Sequence, residues 1–245
     1  YRDRCKMLLP TPRVIREVRK VINQNKPEAV VFGAAAPLAL MGKFLPVNRK
    51  VALTHGHEVW WAKVFPFSLL MRWIGDSVDH LTYLGEYTKR EISKGISAKA
   101  RAAMVQIAPG IDTEKFKPID ATDLRSSLGL NEKEVIISVG RLVPRKGQDK
   151  LIEALPSILK ARPKAHLLFV GSGSFQNKLE QMIKNLDMQS HVTFVGRVQY
   201  EELAKYICVG DIFAMPSRSR LAGLEVEGLG IVYLEASACG LPVLG

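Results

Sequence analysis

The sequence predicts an α/β protein built from two parallel-sheet domains. Three observations carry that reading. Short apolar runs alternate with longer stretches whose apolar residues recur at helical spacing. The alternation reaches residue 108, is interrupted by Pro109-Gly110-Ile111-Asp112 and Phe116-Lys117-Pro118, and then starts afresh. The chain has 245 residues, 47% of them apolar, which is enough for two cores. Strand–helix alternation gives parallel sheets covered on both faces, with ligands held beyond the carboxyl ends of the strands. The Pro/Gly passage divides the chain into domains 1–113 and 114–245.

In the first domain, residues 11–25 read as a helix. Val14, Ile15, Val18, Val21 and Ile22 form its apolar face, and Arg13, Arg16, Arg19 and Lys20 its wet face. Ala29-Val30-Val31-Phe32 is a short buried strand ending at Gly33, and residues 35–44 follow as a helix of small residues. Val51-Ala52-Leu53-Thr54 is the next strand. It delivers His55, with Gly56 behind it, to the carboxyl end of the sheet, where a histidine either meets a ligand or caps a loop. Residues 59–73 hold all three tryptophans, mixed with Lys63 and Arg72. That composition suits either a membrane-interface segment or a loop and helix packed in the core. A strand near 79–84, a helix near 86–95 and a strand at 105–108 complete the domain.

In the second domain, Val135-Ile136-Ile137-Ser138-Val139-Gly140 is a strongly apolar strand. It runs into Arg141-Leu142-Val143-Pro144-Arg145-Lys146-Gly147, followed by a helix to about Ala161. Arg141 and Lys146 thus stand at a carboxyl end, where two fixed cations can neutralise a diphosphate or simply face water. Leu167-Leu168-Phe169-Val170 leads into Gly171-Ser172-Gly173-Ser174, a loop for close backbone approach. It lacks the third glycine of a dinucleotide fingerprint and is no NAD site. A strand and loop at 192–198, a helix near 200–208 and a strand at 211–215 lead to the polar loop Ser217-Arg218-Ser219-Arg220. Glu227 and Glu235 then flank a Gly228-Leu229-Gly230 turn that opens a helix closed by Gly240 and Pro242. The backbone N–H groups of Gly230, Ile231 and Val232 lie at that helix start, which attracts an anion. A phosphate held there leaves a carboxylate on either side for hydroxyls.

The totals narrow the class. Residues 1–113 carry 18 Lys and Arg against 9 Asp and Glu, whereas residues 114–245 carry 17 against 15. The basic first half points to an anionic partner, or to solubility alone. No apolar run reaches the length of a membrane span. Cys5, Cys208 and Cys239 are far apart and odd in number, which fits a reducing compartment and forms no metal spacing. No nucleic-acid recognition motif is present.

Four ordered pieces carry a resemblance. They are Gly140-Arg141-Leu142 with Lys146-Gly147, Phe169-Val170-Gly171-Ser172-Gly173, Val195-Gly196-Arg197-Val198, and Glu227 with Glu235, separated by seven residues. Together they resemble a retaining glycosyltransferase of the two-domain, Rossmann-like GT-B type, in the family called glycosyl transferases group 1. Phe32-Gly33-Ala34-Ala35-Ala36-Pro37, Thr54-His55-Gly56-His57-Glu58, residues 141–149 and residues 225–235 are similar to the GDP-mannose-dependent phosphatidylinositol-monomannoside mannosyltransferases.

The resemblance implies mannose transfer from GDP-mannose to a mannosylated phosphoinositide, by a peripheral cytoplasmic enzyme at the inner face of the plasma membrane. It implies an acceptor-side first domain, a donor-binding second domain, no metal, and no nucleic-acid partner. Arg141 and Lys146 are expected on the donor diphosphate, with help from the N–H groups of Gly230, Ile231 and Val232. Glu235 is expected on the ribose hydroxyls, Glu227 on the transferred sugar, the Val198 backbone on the base, and His55 near the reacting carbon. Gly140, Gly171 and Leu229 belong to the matching donor-side loops. A same-family enzyme using UDP-glucose or UDP-N-acetylglucosamine with a soluble acceptor is the alternative. The resemblance also implies further chain at both ends: a first strand with a Gly-rich turn before residue 1, and the rest of the donor domain with a terminal helix after Gly245. The two sheets are therefore expected to be truncated, with unpaired edges.

Overall fold

The computed structural model describes residues 9–223 and 228–245. The chain forms two compact units. One comprises the residues up to Pro109 with the described part of Ser219–Leu229, and the other comprises Gly110–Arg218 with Gly230–Gly245.

The first unit runs α1 (Pro12–Asn25), β1 (Ala29–Phe32), β2 (Arg49–Ala52), α2 (Glu58–Lys63), α3 (Phe67–Gly75), β3 (His80–Tyr83), α4 (Glu86–Ser93), α5 (Ala98–Ala102) and β4 (Met104–Gln106). Its four strands are parallel and lie side by side in chain order. Thr11 opens α1 by accepting the Val14 N–H, and Pro12 fits the first helical position, where no amide is needed. Phe32, Ala52 and Leu81 from the strands pack with Met71, Ile74, Ile92 and Ile96 into one core.

Several boundaries differ from the sequence reading. The strand expected at 51–54 lies at Arg49–Ala52, because pairing with β1 begins at Ala29 opposite Arg49, two polar residues before the apolar run. Residues 38–44 form a 3-10 helix rather than an α-helix. The aromatic stretch is two helices, since Pro66 has no amide to continue α2 and instead opens α3. α5 was not anticipated, although Ser97 caps it by accepting the Ala100 N–H.

The second unit runs α6 (Thr122–Ser127), β5 (Glu134–Val139), α7 (Gln148–Ala161), β6 (Ala165–Val170), α8 (Gln176–Asn185), β7 (Val192–Gly196), α9 (Leu203–Ile207), β8 (Ile212–Ala214), α10 (Ile231–Ala238) and β9 (Val243–Leu244). Its parallel sheet has the order β7-β6-β5-β8-β9. Alternate residues along β5 and β6 serve two cores, one on each face. Val135, Ile137, Val139, Leu168 and Val170 pack towards α9 and α10, whereas Leu167 and Phe169 pack towards α7 and α8. The strand order reverses at β5, whose neighbours are β6 and β8. At such a switch point the connections leave to opposite sides and open a crevice above the carboxyl ends.

Candidate active site

The crevice of the second unit is built by backbone first. After β5 the chain turns through Gly140, and after β6 through Gly171. These two glycines touch: a Cβ added to Gly171 would lie 2.1 Å from the Gly140 carbonyl oxygen. The Gly140 N–H donates to Val170 O at 2.9 Å, and the Gly171 N–H to Gly196 O at 2.7 Å, so the three strand ends are laced together. Leu142 donates to Ser172 O and accepts from the Phe175 N–H. The lacing leaves a cleft of about 450 Å³ lined by Gly140, Arg141, Gly171, Ser172, Arg197 and Val198, with Val139, Val170 and Leu203 as its apolar lining. Four of the sequence-derived donor residues, Gly140, Arg141, Gly171 and Val198, thus line one cleft.

Lys146 sits at the end of a 3-10 turn, Pro144–Lys146, and is buried. Its Cε lies 3.8 Å from where a Gly140 Cβ would be, which lays the side chain along the same strand end as Arg141. Gly147 then opens α7 with φ +78°, and a Cβ on it would fall 2.0 Å from Pro216 O. Only glycine fits between the turn and the loop after β8. Arg218 in that loop donates its backbone N–H to Arg145 O at 2.9 Å. Its guanidinium grips the buried carboxylate of Asp149 through two bonds of 2.9 and 2.7 Å. The pairing holds the Arg218 pKa above its ordinary value. This clamp ties the Arg141–Lys146 turn to the loop after β8, so the cations stand on a braced backbone. Sequence reading missed it, taking 217–220 for a polar loop, because the partners are 69 residues apart.

α10 starts beside the same loop. Gly230 takes the left-handed conformation before Ile231, and the first-turn N–H groups of Ile231 and Val232 have no partner within the helix by geometry. Tyr233 fastens the helix by donating its hydroxyl to Met215 O, with its ring edge-on to Phe213 at 5.5 Å. Glu235 lies one turn further and is 8% exposed. Burial pushes its pKa up, and the nearby Lys115 ammonium partly opposes that. A carboxylate sheltered this way is an acceptor awaiting donors. Glu227 lies outside the described residues.

In the first unit His55 is exposed beyond the end of β2, with its Nε2 2.6 Å from Gly33 O. The carbonyl selects the tautomer with the proton on Nε2, which leaves Nδ1 as the acceptor. The fully buried Glu58 shapes this turn: its carboxylate accepts the His55 N–H at 2.9 Å and lies 3.3 Å from His57 Nε2. Thr54 anchors the strand end to β3 by donating to Thr82 O at 2.8 Å. Leu229 is half-buried and groups with this unit. Among the described residues no helix is long and apolar enough to cross a membrane, and no three His, Cys, Asp or Glu side chains gather as a metal site.

Two Rossmann-like units, one with glycine-laced loops and two cations at its strand-order reversal, define an α/β protein of two parallel sheets. Solved structures place the fold more narrowly. HepE of Anabaena, crystallised with UDP, matches with a TM-score of 0.78 at 20% identity, over 94% of this chain and 62% of that one. A sucrose-phosphate synthase from Thermosynechococcus elongatus matches with a TM-score of 0.77 at 21% identity, over 99% of this chain and 62% of that one. The fold is that of GT-B glycosyltransferases. The model of the family glycosyl transferases group 1 matches residues 120–245, and the chain belongs to that family. It is 42% identical, over 97% of its length, to a GDP-mannose-dependent alpha-(1-6)-phosphatidylinositol monomannoside mannosyltransferase of Mycolicibacterium smegmatis. It is 41% identical, over 97% of its length, to the enzyme of Corynebacterium glutamicum named for the monoacylated form of that acceptor. The chain spans 63% of the length of each of these two relatives.

Proposed function

We propose that the intact protein transfers mannose, with retention, from GDP-mannose to a mannosylated phosphatidylinositol at the inner face of the plasma membrane. The observation that carries this reading is the 42% identity, over 97% of the chain, to an enzyme named for that donor and that acceptor. The second unit then binds the donor and the first faces the acceptor.

The chemistry follows from the site. Breaking the bond between mannose C1 and the β-phosphate oxygen leaves a GDP carrying new negative charge and a sugar with oxocarbenium character. Fixed positive charge at the leaving group lowers that barrier because it interacts more strongly with the transition state than with the bound donor. Arg141 and Lys146 supply it on a braced turn, and the N–H groups at the start of α10 add to it, without a divalent cation. Glu235 receives the ribose hydroxyls, and the Val198 backbone meets the base in the cleft beside Arg141. Glu227 holds the mannose hydroxyls, and His55 stands by the reacting carbon. The acceptor hydroxyl attacks C1 from the side the diphosphate leaves, and its proton passes to the departing phosphate oxygen, so the products are the mannosylated lipid and protonated GDP.

The test is a transfer assay on the intact protein with GDP-mannose and phosphatidylinositol monomannoside. A dimannoside lipid with a new α-linkage, formed together with GDP, is expected. Turnover with UDP-glucose in place of GDP-mannose, or a β-linkage, would overturn the reading.

A further inference from the structure

Cys208 and Cys239 are far apart in the sequence, yet they close neighbouring helices of the second unit. Cys208 ends α9, and Cys239 ends α10. The fold holds these two ends together from two sides. On one side is the Ala204 carbonyl. It accepts the Cys208 N–H at 3.0 Å, and Cys239 Sγ lies 3.9 Å from the same oxygen. On the other side is the segment 116–118. Cys208 Sγ lies 3.6 Å from Lys117 O, and a Cβ added to Gly240, directly after Cys239, would lie 3.4 Å from Pro118 Cγ. Cys208 packs against the core cluster that contains Cys239, and the two thiols adjoin.

The two thiols differ in access. Cys208 is half-buried, whereas Cys239 is 4% exposed. Burial above all, with the adjoining Cys208 thiol and then Glu235 adding to it, pushes the Cys239 thiol up to about 12, so it rests protonated. An oxidant from solvent therefore meets Cys208 first, with Cys239 behind it. The helix that Cys239 ends also carries donor-binding groups of the proposed site. They are the N–H groups of its first turn and Glu235, whose backbone carbonyl accepts the Cys239 N–H at 3.0 Å.

We propose that Cys208 and Cys239 are a redox-active pair that hydrogen peroxide converts to a disulfide, and that this bond weakens donor binding on α10. The Cys208 sulfur takes one oxygen from the peroxide, giving a sulfenic acid and one water. The Cys239 sulfur then attacks the Cys208 sulfur. The S–S bond forms, the S–O bond breaks, and the oxygen leaves with the Cys239 proton as a second water. Two electrons pass from the sulfurs to the peroxide, and a thiol reductant returns them. In a reducing compartment the pair rests as thiols, so the bond answers a burst of peroxide. A disulfide sets its sulfurs about 2.05 Å apart, well inside thiol contact. Closure therefore draws the end of α10 towards α9 and shifts Glu235, one turn away. The effect on donor binding rests on the proposed function, whereas the bond itself does not.

The test is hydrogen peroxide treatment of the intact protein, followed by peptide mapping without reduction. GDP-mannose is titrated before oxidation, after it, and again after dithiothreitol. A linked Cys208–Cys239 peptide is expected, lighter by two hydrogens than its separate parts. Donor affinity should be about tenfold lower in the linked protein and return with dithiothreitol. Cys208→Ser should abolish the link and make donor affinity indifferent to peroxide. Cys239→Ala should leave Cys208 as a sulfenic acid that dimedone labels. If loss of the buried Cys239 thiol destabilises the fold, Cys208→Ser, at the half-buried position, keeps the test usable. The proposal is overturned if Cys208 oxidises past the sulfenic acid with no linked peptide, or if the linked protein binds GDP-mannose as the reduced one does. A reduced protein that binds no GDP-mannose refutes the donor reading and with it the effect on binding, while the mapped peptide still decides the disulfide.

Discussion

Gly171→Ala tests the laced-loop construction of the cleft most sharply. The residue has φ +135°, a region that an alanine enters at a cost of about 1–2 kcal/mol. The new methyl would also lie 2.1 Å from Gly140 O, more than an ångström inside ordinary contact. Relief requires the two loops to part. That strains the 2.9 Å bond from Gly140 N–H to Val170 O and the 2.7 Å bond from Gly171 N–H to Gly196 O, each contributing about 1 kcal/mol. The sum is about 3–4 kcal/mol, a large fraction of a domain's stability. At this chain size it corresponds to a melting temperature lower by roughly 10 °C. Two controls divide that figure. Gly196 has φ +81° but nothing within 4 Å of an added Cβ, so Gly196→Ala should lose only the conformational part, about 1–2 kcal/mol. Gly33 has neither constraint, and Gly33→Ala should stay within about 0.5 kcal/mol of the wild type. Thermal melts followed by circular dichroism report the series, with donor binding as the second readout. A Gly171→Ala protein that melts with the Gly33→Ala control would refute the reasoning.

Three further outcomes follow from the second unit. Glu235→Gln should move stability and binding in opposite directions. Burial raises the native pKa above the unfolded value, so the ionised carboxylate costs stability above that pKa and the cost fades as pH drops through it. The variant should therefore melt no lower than the wild type at neutral pH, with the gap closing in acid, while GDP-mannose binds about 10- to 100-fold more weakly for want of charged hydrogen bonds. A lower melt with unchanged affinity would contradict this. Asp149→Ala removes the carboxylate that grips Arg218 and should cost about 1–3 kcal/mol in a urea titration, besides loosening the Arg141–Lys146 turn; an unchanged midpoint would show the clamp idle. His166, bonded to the Thr193 hydroxyl, has its pKa held down to about 4 by burial, against an ordinary 6.5. The unfolded chain takes up a proton that the native state refuses between those values, so stability should fall as pH drops from about 6.5 to 4. A pH series of unfolding midpoints that is flat there, or rises, would speak against a buried neutral imidazole.

The parts of this protein legible in its sequence are those fixed by local pattern. The apolar runs of β5 and β6 became strands because burial on both faces leaves no polar alternation to read, and the glycines after them marked where backbone meets backbone. The misplaced limits of β2 have the same origin in reverse. Arg49 and Lys50 pair within the sheet, but their polarity hid it. What stayed hidden is what depends on distant partners. The Asp149–Arg218 clamp joins two loops whose sequences look like ordinary solvated turns. Glu58 looked like one more residue of a histidine-rich turn until burial showed it holding the His55 amide. The double nature of residues 59–73 was also irresolvable from composition. Trp60 and Trp61 pack with Phe67 in the unit, whereas Phe65, Leu69 and Trp73 face outwards.

In the proposed function the Arg141–Lys146 turn and α10 together hold a guanosine diphosphate sugar. Calorimetric titration of the intact protein with GDP-mannose and with UDP-glucose, without added metal, tests it most directly. Binding of GDP-mannose in preference to UDP-glucose is expected, with affinity lost in Lys146→Ala, where a charge-assisted contact to phosphate disappears. Equal binding by Lys146→Ala, or preference for UDP-glucose, would contradict it.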